Sequence, residues 1–293
     1  MNLSQTLHWA EPAPFLTPST IGRAATRALY HELALEPKPG LVTLSDNGSH
    51  SDMDAQTFMR SLFALRGYFV NIAELGRQQA GFVALERCGI QAEAQMLAAT
   101  GGINTHRGAI FMLGLLCAAA GALSGHAVQA TPARLRAALR QHWGDALTAR
   151  SQRTPTLPGG IAAQRHGLRS ASQEAAMAFP VLFETAVPAL ASALARGLRP
   201  EQARLDTLFQ VMAVLDDSNL AHRGGIEGLR HAQQSARDFL AAGGSARADG
   251  LEAARAIGHD FVVRNLSPGG AADTLAAACW MLQLCDPGPW ASR

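Results

Sequence analysis

An all-α protein is predicted by three features of the chain. Aromatic residues make up only 6%, while Ala, Leu, Arg and Gln dominate. No run alternates β-branched and polar residues with the period of two that a half-buried strand requires. Between Gly and Pro breaks, apolar residues recur three and four apart. With 293 residues, 48% of them hydrophobic, the chain can bury a sizeable core, which excludes a disordered or disulfide-stapled protein. The expectation is a single multi-helix globular domain over residues 19–293, with Gly-rich loops at helix ends forming the active site. Residues 1–18 carry Pro12, Pro14 and Pro18, lack the basic start and apolar run of a signal peptide, and are expected to form a flexible arm.

Ser19 or Thr20 can cap a first helix that stops near Glu36, because Pro37 disfavours helical geometry in the residue before it. A second helix begins near Ser51 and puts Phe58, Leu62, Leu65, Phe69 and Ile72 on one face. Further helices are expected over 90–99, 105–123, 132–147, 172–195, 205–215, 226–241, 251–263 and 271–284, with Pro180 and Pro188 kinking or dividing the fourth of these. The most apolar stretch, 109–123, is shorter than the roughly 20 residues of a membrane span and contains Gly114 and Gly121, so a helix buried on all sides is expected. Residues 144–167, with Pro155, Pro158, Gly159 and Gly160, are expected as a long loop or lid.

Basic residues number 25 and acidic residues 23, a net charge of +2, so no global field recruits nucleic acid or an anionic membrane. An anionic ligand must be held locally. Cys88, Cys117, Cys279 and Cys285 show no metal-ligand spacing and are expected as reduced packing residues of a cytoplasmic protein.

Four segments place glycine beside charged or amide side chains at helix ends. In the first, two prolines stiffen the backbone around Lys38, whose ammonium suits a phosphate, and His50, Asp52 and Asp54 follow at a helix start. One of the two aspartates is expected to cap that helix, leaving the other to bind a metal or accept a proton. In the second, Gly101, Gly102, Asn104, Thr105, His106 and Arg107 precede the apolar helix and form a candidate phosphate cradle. The plainer alternative makes Asn104 or Thr105 a cap and His106 a hydrogen-bonded core residue. In the third, Asp216 and Asp217 follow an apolar helix, where carboxylates oppose the helix dipole and call for a cation such as Mg²⁺, ahead of Asn219, Arg223, Gly224 and Gly225. In the fourth, Ser267 and Pro268 open a helix with Gly269 and Gly270 exposing its first N–H groups to a phosphate, and Asp273 is either a dipole complement or a metal ligand. Neither a P-loop nor a dinucleotide-binding fingerprint is present.

In chain order, Glu32 with the Pro-Lys-Pro-Gly-Leu-Val turn and the segments 48–54, 101–108, 216–225 and 267–273 resemble the triphosphoribosyl-dephospho-coenzyme A synthase family. The resemblance implies an all-helical transferase that takes ATP and 3′-dephospho-coenzyme A, joins the ATP ribose to a ribose hydroxyl of the coenzyme and releases adenine. The product is the prosthetic-group precursor that a downstream holo-carrier transferase places on the acyl-carrier subunit of malonate decarboxylase or citrate lyase. Thr43 stands where aspartate is common, Arg107 where lysine is frequent, and Ser172-Gln173-Glu174 where many relatives carry Arg-Gly-Glu. These departures fit the malonate decarboxylase branch better. Homo-oligomerisation is left open.

The implied displacement at an anomeric carbon has an oxocarbenium-like transition state and needs a base, a donor for adenine and cations for the triphosphate. Asp52, Asp54 or His50 is the candidate base, and the resemblance adds Glu32 to the catalytic set. Asp216, Asp217 and Asp273 are expected on the metal side and Lys38, Arg107 and Arg223 on the phosphate side. Asn104 and Asn219 could read adenine or ribose hydroxyls. Alanine at Asp217 is expected to abolish synthesis and leave folding intact. A Mg²⁺-dependent nucleotide glycoside hydrolase is the runner-up, and a non-catalytic helical assembly factor the third reading.

Overall fold

The computed structural model describes residues 16–124 and 129–285. Among these there is no strand, and twelve α-helices follow in order: α1 Pro18–Leu33, α2 Ala55–Arg77, α3 Phe82–Thr100, α4 Arg107–Ser124, α5 Pro132–Ser151, α6 Pro158–His166, α7 Ala171–Ala176, α8 Val187–Ala195, α9 Pro200–Val214, α10 Ser218–Ala241, α11 Gly250–Val263 and α12 Gly269–Cys285. The arm expected over 1–18 lies outside the described residues as far as residue 15, and its last residue, Pro18, is already helical.

Local chemistry moves several boundaries. Thr17, rather than Ser19 or Thr20, caps α1 in a reciprocal box with Thr20. The first helix ends at Leu33, well before Pro37. The second starts four residues later than expected, because Asp54 is its cap. The long loop expected over 144–167 is mostly helix: α5 continues to Ser151 and α6 begins at Pro158, which occupies the first helical turn where its missing N–H costs nothing. The division expected over 172–195 falls at Ala178 and Phe179, which take positive φ of 55° and 50°, and a π-helical turn, Val181–Ala186, leads into α8. Pro188 sits in the first turn of α8 and breaks nothing.

At the centre, α2 packs on α1, α3 and α4, while α4 and α12 are buried over most of their length. α4 is the one described helix long and apolar enough to cross a membrane by length and composition, and it lies mostly inside the fold. Contacts from Ser61 to His106, from Tyr68 to Ile110 and between Gly76 and Ala118 show that α2 and α4 run parallel. Far from their starts the two backbones touch. A Cβ on Gly76 would overlap the Ala118 carbonyl, and one on Gly121 the Ala73 carbonyl, so only glycine allows this approach. At the near end Gly108 of α4 lies against Asp273 of α12, and Asp217 ahead of α10 bonds the start of α12. Four helix N-termini, those of α2, α4, α10 and α12, therefore gather at one end of the molecule.

Candidate active site

Protein carboxylates answer the positive ends of these four helices. Asp54 caps α2, accepting hydrogen bonds from the Thr57 N–H (2.8 Å) and hydroxyl (2.7 Å), which hold its carboxyl below the usual range. Asp217 clamps two helices at once. Its Oδ1 accepts from the N–H groups of Asn219 (2.9 Å) and Leu220 (3.4 Å) in α10, and its Oδ2 from Ala271 N–H (3.0 Å) in α12. A Cβ on Gly270 would lie 3.1 Å from this carboxylate, so the glycine keeps the approach open. Burial outweighs these N–H groups and pushes the Asp217 carboxyl up to about 6. Asp273, in the first turn of α12, accepts from Ala109 N–H at the start of α4, and Gly108 leaves the room it occupies. Burial first, then the charges of Glu32 and Asp217, raises its pKa well above the carboxylate range.

Lys38 is the cation of this cluster. Its ammonium donates to the Glu32 carbonyl (2.8 Å) and is paired with the Glu32 carboxylate. The residue is only 6% exposed, so the stiff Pro-Lys-Pro turn carries the ammonium into the protein rather than out to solvent. Burial lowers its pKa, and Glu32 opposes that shift. His106 lies within reach of the same field. Its Nδ1 pairs with Ser61 Oγ at 2.6 Å and Phe58 meets its ring edge-on, while Nε2 has no partner. Burial, then Lys38, lowers its pKa to about 3, so the imidazole is neutral.

Nearer the surface, three segments distant in sequence are stitched together. The Arg223 guanidinium donates to the Asn265 carbonyl (2.9 Å), to the Asn265 side chain and to the Ser49 carbonyl. Ser49 Oγ donates to Leu266 O at 2.6 Å. His50 Nε2 bonds Ser267 Oγ (2.9 Å), and its Nδ1 lies 3.7 Å from Asp52. Burial, then Arg223, lowers the His50 pKa, with Asp52 opposing.

The first, third and fourth motifs thus meet directly, and the second joins them through Asp273 and His106. Several of its members do other work. The N–H groups of Gly101 and Gly102 both turn to Leu97 O, closing the end of α3 instead of facing a phosphate. Asn104 accepts from Arg107 N–H (3.2 Å), which is the capping alternative, and Arg107 is paired with Glu93 at 2.6 Å. Thr105 Oγ1 is buried without a partner. In the third motif Gly225, at φ 66° and ψ −168°, makes a kink inside α10 that only glycine adopts readily. Gly224 gives room to Leu266, and Asn219 packs beside Gly269. Asp216 does not join these contacts; its Oδ2 accepts from Arg169 N–H (3.0 Å), just ahead of α7.

Sequence reasoning missed Ser49, Ser61 and the Arg169–Glu174 ion pair at 2.9 Å. Ser61 left a signal. It and Thr57 are polar residues four apart beside the apolar face of α2, and both are buried.

An all-helical scaffold with buried carboxylates at converging helix starts, rimmed by His50 and Arg223, defines an enzyme site for a charged substrate. The chain matches the model of the CitG family, described as ATP:dephospho-CoA triphosphoribosyl transferase, over residues 18–292, and it belongs to that family of transferases. Three relatives are each named "Probable 2-(5''-triphosphoribosyl)-3'-dephosphocoenzyme-A synthase". That of Vibrio cholerae serotype O1 is 37% identical over 278 residues, covering 92% of this chain and 88% of the relative. Those of Acinetobacter calcoaceticus and Azotobacter vinelandii are 36% and 40% identical, each covering 89% of both chains. No solved structure matches.

Proposed function

We propose that this chain transfers the 5-triphosphoribosyl group of ATP to a ribose hydroxyl of 3′-dephospho-coenzyme A, releasing adenine. The observation that carries this reading is the meeting of the separated family motifs at one end of the bundle, with Glu32, Lys38, His50, Asp217, Arg223, Ser267 and Asp273 among them. Of the three candidate bases, Asp54 is occupied as a cap. His50 is kept neutral by burial and by Arg223, is held by Ser267, and has Asp52 beside its other nitrogen. We therefore assign His50 as the group that takes the hydroxyl proton, with Asp52 orienting it. Among the described residues Arg223 donates only to neutral oxygens, with the Asp52 carboxylate in its field, and we assign its charge to the triphosphate.

Among the described residues no three His, Cys, Asp or Glu side chains are arranged to hold a metal by themselves. Mg²⁺ nevertheless suits the oxygen donors at Asp273, where Glu32 and Asp217 crowd a third carboxylate and a cation relieves the repulsion. Bound there with the triphosphate, it would neutralise phosphate charge. Asp216 takes no part.

Thr43, Arg107 and Ser172-Gln173 support service to malonate decarboxylase rather than citrate lyase, through a downstream holo-carrier transferase and an acyl-carrier subunit, in the cytoplasm. The experiment is chromatographic detection of adenine with ATP and dephospho-coenzyme A, together and separately. Adenine only when both are present is expected. Adenine from ATP alone would establish a hydrolase, and none under any condition would end the catalytic reading. Loading of the malonate decarboxylase carrier, and not the citrate lyase carrier, would test the finer assignment.

A further inference from the structure

Asp216 and Asp217 are neighbours whose side chains serve different spaces. Asp217 turns inward to the start of α12, whereas Asp216 turns outward and lines a cleft of about 420 Å³ together with Leu168, Arg169, Gln173 and Met177. The cleft's one cation, Arg169, is already paired with Glu174 at 2.9 Å, which leaves the Asp216 carboxylate facing the cleft and disfavours a phosphate there. The polar groups left over are specific. Gln173 Oε1 accepts from Ser170 N–H (2.7 Å) in the capping box of α7, which fixes the amide, and no described acceptor meets its Nε2. Asp216 Oδ2 is taken by Arg169 N–H, and no described donor meets Oδ1. Leu168 and the half-exposed Met177 add apolar surface, and a thioether suits an aromatic ring.

One donor, one acceptor and flanking apolar groups complement the edge of adenine that offers the N6 amino donor beside the N7 acceptor, and N7 is unchanged in hypoxanthine. Resting on the transferase reading above, we propose that this cleft seats the adenine of 3′-dephospho-coenzyme A. The choice between the two nucleotides follows from charge. A carboxylate that accepts from the amino group opposes the negative charge that gathers on a departing ring, so it suits the adenine that stays and not the one released from ATP. One peptide bond joins Asp216 in the cleft to Asp217 in the buried cluster.

The test uses the intact protein. Calorimetric binding of dephospho-coenzyme A without ATP is compared with binding of its analogue carrying hypoxanthine, in which a carbonyl acceptor replaces the amino donor. The wild type is expected to bind the analogue at least about tenfold more weakly, and Asp216→Asn, which can turn an amide donor to the carbonyl, to recover most of that loss. Filling the cleft with Met177→Trp should raise KM for dephospho-coenzyme A at least about tenfold and leave KM for ATP within about twofold. Equal binding of the two coenzymes, no recovery in Asp216→Asn, or an effect of Met177→Trp falling on ATP instead would overturn the proposal. Circular dichroism confirms that each variant is folded. Because the calorimetry needs no turnover, a failure of adenine release in the wild type sinks the transferase reading separately.

Discussion

The two ends of the α2–α4 pair are held by opposite means. Where Gly76 meets Ala118 and Gly121 meets Ala73, the helices touch through small residues, backbone against backbone. At their starts, charged and polar groups that cost free energy to bury gather around the helix N-termini: Glu32, Lys38, His106, Asp217 and Asp273. One end gains stability from close packing. The other spends stability to hold charge in place, as a preorganised site must.

Removing a charge partner from the polar end should have the largest effect. Lys38→Met leaves the Glu32 carboxylate buried without its cation, and we expect a loss of about 3–5 kcal/mol in urea unfolding, together with loss of adenine release. Lys38→Met and Glu32→Leu combined should recover much of the stability and none of the activity. A single variant as stable as the wild type would remove the pair from the argument.

Asp217→Ala comes next. It strips two helices of a common acceptor, so we expect about 2–3 kcal/mol of destabilisation as well as inactivity. The sequence-based expectation that folding stays intact is revised on this ground, because both carboxylate oxygens are engaged by backbone N–H groups. Urea titration of the purified variant separates the two effects.

At the other end, Gly76→Ala should cost about 1–3 kcal/mol through overlap with the Ala118 carbonyl, while adenine release per folded molecule is unchanged. Altered turnover in this variant would show that the two ends are mechanically coupled.

The fourth effect is read from pH dependence rather than from stability at one pH. His106 has a folded pKa of about 3 against 6.5 unfolded, so its contribution is fully present above pH 6.5 and falls away as the pH drops toward 3. Asp217 runs the other way. Its pKa is raised from 3.8 to about 6, so its contribution is present below 3.8 and is lost as the pH rises through 6. His106→Gln should therefore flatten the acid limb of stability between pH 6.5 and 3, read from urea midpoints. An unchanged limb would show that His106 is not held neutral.

The helical class, the apolar face of α2 and the four motifs were legible because periodicity and Gly or Pro punctuation are local properties. Boundaries were less so. Residues 144–167 looked like a loop from their Pro and Gly content, yet Pro158 sits where a helix begins, and tertiary packing selected the helix. The site was legible as a set of segments and not as a set of bonds. Lys38 was read as a cation held out for a phosphate and is buried on Glu32, and the Gly101–Gly102 pair was read as a cradle and closes α3.

By itself, the sequence determined that the chain is helical, where its breaks fall and which residues carry charge into them, since each of these follows from neighbours within a few positions. Only the tertiary structure decided which charges face one another. Whether Asp217 holds a backbone or an ion, and whether Asp216 shares its space, depends on residues some 50 positions away such as Arg169 and Ala271. A carboxylate's partners are chosen by burial and approach in three dimensions, which no local pattern encodes.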